Sequence, residues 1–446
     1  MKKSSFLTKD QRESLGLINI GTLLEYFDFY TYIHIAVVLN SVFFPTSDPY
    51  TKSLLMALSF SMAYVLRPLG SLVFGFLGDL WGRKVTIIIT TLMMSISSFT
   101  LGCMPTFEQI GWTASITVLI CRAIQGMSSA VEVIGARIYT CEMLKAPKSY
   151  FYTALISVAS DLGTILALGM CSLMLFIHPE DGWRYVFLLG SGIAVVGSIA
   201  RTRLKESPEF LKAIKKINKN NRKQSILKTF SQSQKNVIAY FFIEFRTPIL
   251  FFISFIQLGE FLSTNYGYTP TQIIHHNLFI TMLSATVYII SAFLTQYIFP
   301  IKIMKFSAFA LLLFSFFFPF LINHAHSVGE VFLIQSVPWA LNITGIGAAI
   351  FMRGFPVIGR YTIIGVSYSL ARALGAVTTS YACVWLAAKF GPVGMAGLMG
   401  FTVLLHIIGL YHFTPNKEDN YFEKPLKNYF WRKTKLEPEA PGVDAL

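Results

Sequence analysis

The run GFLGDLWGRK, Gly75 to Lys84, joins two long apolar stretches and decides how the chain is read. Neither Gly75 nor Gly78 carries a Cβ, so the helix that holds them can lie close against another. Asp79, Arg83 and Lys84 then put opposite charges on one short turn at the edge of the apolar phase. A connection this tight, charged and glycine-rich suits a hinge between two moving helices better than a passive linker.

Outward from that turn, the 446 residues are 54% apolar and 13% charged, with a mean hydropathy of +0.56. The apolar residues come in blocks that match the roughly 20 residues needed to cross a hydrocarbon core of about 30 Å. Such blocks fall at about 17–42, 54–78, 85–104, 112–140, 151–177 and 185–200, and again at about 237–262, 277–299, 306–322, 331–352, 361–387 and 393–413. The expected fold is an all-α integral membrane protein of twelve transmembrane helices in two six-helix halves. The N-terminal half covers 1–200, a basic linker 201–236, the C-terminal half 237–413 and a charged, proline-punctuated tail 414–446. The linker, with its run KKINKNNRKQ from Lys215 to Gln224, is expected to be solvated and cytoplasmic, with room for a surface-lying helix.

The net charge of +14 is topological. Of the 37 Lys and Arg, Lys52, Arg184 and Lys389 fall in one set of connections. Arg67, Arg122, Arg137, Arg246 and Arg372 fall within spans, and all the others lie on the opposite side with the two termini. That bias makes both termini cytoplasmic and removes the case for a nucleic-acid partner. Five cysteines scattered through apolar segments without CxxC spacing read as packing residues, neither a disulfide framework nor a metal site. The first apolar stretch is too long for a signal-peptide core and carries Glu25 and Asp28. No nucleophile–base pair, metal cluster or phosphate loop stands out, so an enzyme is not expected.

With these residues placed, the chain resembles the major facilitator superfamily, and within it the metabolite:proton symporter family of proline/betaine, α-ketoglutarate, citrate and shikimate permeases. The opening run is similar to that superfamily's signature between helices 2 and 3, supplying Gly75, Asp79, Gly82, Arg83 and Lys84, with Leu80 in place of the usual cation. GTLLEYFDFYTY (Gly21 to Tyr32) with VFFP (Val42 to Pro45) resembles the first helix, and RPLGSLVFG (Arg67 to Gly75) the second. CRAIQGMSSAVE (Cys121 to Glu132) resembles helix 4, ESPEF (Glu206 to Phe210) the exit from helix 6, and FPVIGRYTIIGVSYSLARALG (Phe355 to Gly375) the entry into helix 11. Two departures stand out. The second-half copy of the signature reads LTQYIFPIKIMK (Leu294 to Lys305) without its aspartate or glycines, and helix 4 has SSAVE where a glycine pair usually precedes the glutamate.

The resemblance implies a cytoplasmic gate of Arg67, Gly75, Asp79, Gly82, Arg83, Lys84 and Glu142. In it Asp79 would bind the start of helix 11, Arg83 would pair with Glu142, and Glu206 would join from the linker. Because the second-half copy is degenerate, this copy is expected to carry the gate almost unassisted. Ionisable residues inside a membrane ask for a reason. Glu25 and Asp28 are three apart on one helix face and would repel if both ionised. They either share a transportable proton or are salt-bridged to arginine; with Glu132 they form the expected proton-coupling set. Arg67 and Arg122 are the natural counter-charges, Arg67 assigned to the gate end and Arg122 to the cavity, where it would clamp a solute carboxylate. Tyr26, Tyr30, Asp161 and Arg372 complete the expected substrate site, with aromatic faces suited to a quaternary ammonium.

The function expected from this resemblance is proton-coupled symport, importing a proline/betaine-type zwitterion or an organic acid through a bacterial inner membrane. The protein would work as a monomer, with lipid, solute and proton as partners, the proton as coupling ion and no cofactor. A drug:proton antiporter of the same fold is the transport alternative, weakened by the lack of a glycine-proline element in the fifth helix. A receptor-like protein that no longer cycles is the other, suggested by the degenerate second signature.

Overall fold

The computed structural model describes residues 7–35, 39, 42–44, 64–178, 180–216 and 222–414. The connection from Pro45 to Lys52, the start of the second span, part of the linker run and the tail lie outside the described residues.

The N-terminal half consists of α1 (Lys9–His34), α2 (Arg67–Leu80), α3 (Arg83–Cys103), α4 (Trp112–Met143), α5 (Lys148–Ile177) and α6 (Gly182–Arg201). The C-terminal half consists of α7 (Gln234–Phe251), α8 (Pro270–Leu294), α9 (Pro300–Asn323), α10 (Val328–Ala340), α11 (Arg360–Phe390) and α12 (Pro392–His412). Ten of these segments, with α7 counted through to Tyr266 and α10 to Arg353, are long and apolar enough to cross a membrane; α1 and the part-described α2 complete the set of twelve. Large apolar side chains such as Phe176 (85% exposed), Phe316 (78%) and Tyr381 (78%) cover the outside, as hydrocarbon contact requires.

Local chemistry sets the helix ends. Thr8 with Gln11 and Thr269 with Gln272 form capping boxes that start α1 and α8, and Ser207 caps the short linker helix Pro208–Lys215. Gly82 has φ 115°, which lets the chain turn from α2 into α3 within two residues.

Two helices are broken beside the centre of the molecule. α7 carries Pro248 and passes into a π-turn, Phe252–Gln257, before continuing as Leu258–Tyr266. α10 stops after Pro338 and resumes through the 3-10 turn Thr344–Gly347 into Ala348–Arg353. Proline removes an amide donor, and the carbonyls it frees are available to line a cavity.

The halves meet along α2 with α11 and α5 with α8. On the side that carries the linker, one apolar core runs through both halves: Ile134, Ile138 and Tyr150 pack with Tyr240, Ile346, Phe351 and Tyr361. On the opposite side each half keeps its own core, around Phe43, Trp183 and Phe187 in one and Leu250, Phe318 and Met399 in the other. The molecule is therefore closed across its halves on the linker side.

Candidate functional site

A central cavity lies between the halves in two adjoining lobes, each of about 720 Å³ counted with the solvent at its mouth. Tyr26, Tyr30, Thr247, Phe251, Trp339 and Arg372 line both. The first lobe adds Glu25, Phe29, Tyr64, Arg67 and Tyr368, making an aromatic chamber with one carboxylate and two guanidiniums. The second adds Arg137, Asp161, Tyr288, Asn342 and the hydroxyls of Ser157, Ser160, Thr164, Thr281 and Ser284, and so is polar.

Glu25 is 4% exposed, and its Oε2 has no hydrogen-bond partner; Oδ2 of Asp161 is in the same position. Among the described residues neither is in an ion pair. Asp28 does not share the cavity with Glu25. Three residues on, its carboxylate turns away into the helix packing and lies over Gly190 of α6, beside Ser98 of α3. The expectation of one shared face fails here because i and i+3 differ by about 60° round a helix, enough to put one in a cavity and the other in a helix contact.

Neither arginine takes its expected place. Arg67 starts α2, twelve residues and so about 18 Å from the Asp79 end, too far to join the gate. It lines the cavity instead, with its guanidinium 4.5 Å from the Phe29 ring centroid and 4.4 Å from that of Tyr64. Arg122 is fully buried behind the cavity wall, 4.0 Å from the Tyr32 centroid and donating to Gln125 at 2.9 Å. It contacts no carboxylate among the described residues.

Glu132 is held by Arg201 and Thr91, all three buried. Arg201 begins a basic run and so reads as linker in the sequence; it is the last residue of α6, 1% exposed, and occupies the space that a side chain on Gly21 would fill. At the base of the cavity Glu244 of α7 accepts from Arg372 of α11 at 2.8 and 3.2 Å. It also faces Arg137 of α4, in the other half, at 3.7 Å. Spacing alone assigns Arg137 no role, since only folding brings it to Glu244.

The linker side holds a dense ionic latch. Asp79 accepts from the Thr362 amide at 2.9 Å, the Thr362 hydroxyl at 2.7 Å and the Tyr361 amide at 3.4 Å. These amides belong to the first turn of α11, where no intrahelical acceptor exists and the helix dipole favours an anion. Arg83 pairs with Asp79 at 3.0 Å and Glu142 at 3.2 Å, and donates to Val357 O at 2.8 Å across the halves. Arg360 also reaches Glu142 at 3.1 Å, and Glu209 of the linker helix at 3.3 Å. Ser207 bonds Glu142, Phe210 lies 4.1 Å beneath the Arg83 guanidinium, and Glu206 accepts from the Lys84 amide at 3.2 Å. The Lys84 side chain makes no ion pair among the described residues, so it enters the latch through its backbone. The motif residues share this cluster with Arg360, Ser207 and Glu209. The linker helix is docked on this latch, with Phe210 buried against Ile226 and Ile358, where a solvated segment was expected.

Twelve membrane helices in two halves around a charged central cavity, latched on one side, define a membrane transporter. The chain belongs to the Major Facilitator Superfamily, whose sequence model matches residues 18–380. It is 26% identical over 433 residues to the proline/betaine transporter of Salmonella typhimurium, covering 93% of this chain and 85% of that one. It is 28% identical over 401 residues to the inner membrane metabolite transport protein YhjE of Escherichia coli, covering 86% and 91%. Among solved structures it superposes on the proton:xylose symporter XylE of Escherichia coli with a TM-score of 0.75 and 16% identity, covering 92% of this chain and 97% of that one.

Proposed function

We propose that this protein is a proton-coupled symporter that takes up a small polar metabolite, a proline/betaine-type zwitterion or an organic acid, by alternating access in a bacterial inner membrane. The linker side is the cytoplasmic side, the proton is the coupling ion, and the monomer is the working unit. The observation that carries the reading is the pair of cavity carboxylates, Glu25 and Asp161, each with an oxygen that has no hydrogen-bond partner. A cavity carboxylate outside any ion pair is a site for a proton, and a site between two mobile halves can meet either side of the membrane in turn. Glu25 is the first coupling group, since it faces the solute; Asp28 stands behind it, and Glu132, already held by Arg201, acts as a fixed charge. The aromatic first lobe supports a zwitterion, because its rings offer faces to an ammonium and the guanidiniums in the cavity wall offset a negative charge.

Uptake of labelled proline, glycine betaine and succinate into energised membrane vesicles tests the reading. At least one should accumulate, and a protonophore should abolish the accumulation. Glu25→Gln should remove proton-driven accumulation while leaving exchange of solute across the membrane. Accumulation that survives the protonophore would overturn the symport mechanism.

A further inference from the structure

The charges at the base of the cavity do not balance. Arg137 and Arg372 face one carboxylate, Glu244, and Arg372 takes it with two hydrogen bonds from Nε and Nη2. Arg137 stands at 3.7 Å from the other oxygen, in ion-pair range without a hydrogen bond. Its side chain is 6% exposed, its Nη2 donates to Ser157 at 3.3 Å, and its Nε and Nη1 have no hydrogen-bond partner. Trp339, whose ring lines both lobes, likewise has a buried Nε1 without a partner. Buried polar groups are ordinarily satisfied, and guanidinium donors match a carboxylate as a planar fork. Donors left over on one part of the wall, with acceptor oxygens left over on Glu25 and Asp161, are the complement of a molecule carrying a carboxylate at one end.

We propose that Arg137 of the N-terminal half and Arg372 of the C-terminal half form a carboxylate subsite that spans the two halves, held here by Glu244, for which a solute's carboxylate competes. This deepens the uptake reading by naming the group recognised. A carboxylate gripped from both sides binds best when the halves are together, so it favours closure round the solute.

The test is calorimetric titration of the purified protein in lipid nanodiscs, without a proton gradient. The probes are glycine betaine, proline and succinate, with choline and prolinamide as counterparts lacking the carboxylate. The wild type should bind at least one carboxylate probe and neither counterpart as tightly. Glu244→Gln removes the competitor, so Kd for that probe should fall by about three- to tenfold, while Arg137→Gln should raise it about tenfold or more, as loss of a charge-assisted pair implies. Arg137→Lys keeps the charge but loses the fork, and serves if Arg137→Gln does not fold; it should raise Kd several-fold.

Choline bound as tightly as betaine, no carboxylate probe bound at all, or unchanged affinity in both Arg137 variants would each overturn the subsite. The transport reading fails separately. Protonophore-sensitive accumulation of a solute without a carboxylate would keep symport and overturn the subsite. The expected variant pattern with protonophore-resistant uptake would do the reverse.

Discussion

At the scale of single residues, the buried charges behave differently according to whether a partner reaches them. Glu132 and Arg201 neutralise each other between α4 and α6, both 1% exposed. Removing one partner leaves the other charged and unpaired, which costs about 3–5 kcal/mol in buried pairs. Glu132→Gln should therefore lower the melting temperature in detergent markedly, and the double variant with Arg201→Met should recover most of the loss. Equal melting of the single variant and the wild type would show that the pair is not a structural tie. The charge of each such residue is legible in sequence, since an ionisable group in an apolar span always asks for an explanation. Its partner is not. Arg201 hides at the edge of a basic run, and Asp28 and Glu25 look equivalent until neighbouring helices separate them.

At the scale of elements, close approach of α2 to α11 depends on a missing side chain. A Cβ on Gly75 of α2 would lie 2.9 Å from the Thr362 Cα of α11, inside contact distance with backbone that cannot yield. Gly75→Leu should wedge these helices apart and abolish uptake, while the protein still inserts and elutes as a single species; full uptake would show that the approach is dispensable. This feature was legible beforehand, because a glycine-rich helix face has a direct packing meaning. The breaks in α7 and α10 were less so. Pro248 and Pro338 are visible in the chain, but a proline in a membrane helix can be absorbed by neighbours, and only tertiary contacts show where it opens a helix beside a cavity.

At the scale of the whole molecule, the two halves share, among the described residues, an apolar core and an ionic latch on the linker side. Opening that side must break the bonds of Asp79 with the first turn of α11. Each hydrogen bond to a charged group contributes about 1.5–3 kcal/mol, so losing one shifts the balance between closed and open roughly tenfold or more. Cys141 reports on it, since it is buried on the latch side and bonds Ala349 O of the other half at 3.6 Å. Asp79→Asn should raise the rate at which a maleimide labels Cys141 by about tenfold, mapped by peptide. An unchanged rate would mean that Asp79 does not hold the latch.

The sequence by itself determined the membrane class, the twelve-span division, the family and the motif that forms the latch. Each of these depends on local quantities: the length of apolar runs, the sidedness of basic residues, and the spacing within one turn. Tertiary structure alone decided which charges meet. It sent Arg67 to the cavity and Arg122 behind its wall, brought Arg360 and the linker helix onto Glu142, and set Arg137 against Glu244 from the opposite half. The physical reason is that an ion pair acts over a few ångströms between helices distant in the chain. One residue of rotation or one turn of rise then decides whether a buried charge finds its partner or is left to bind a solute or a proton.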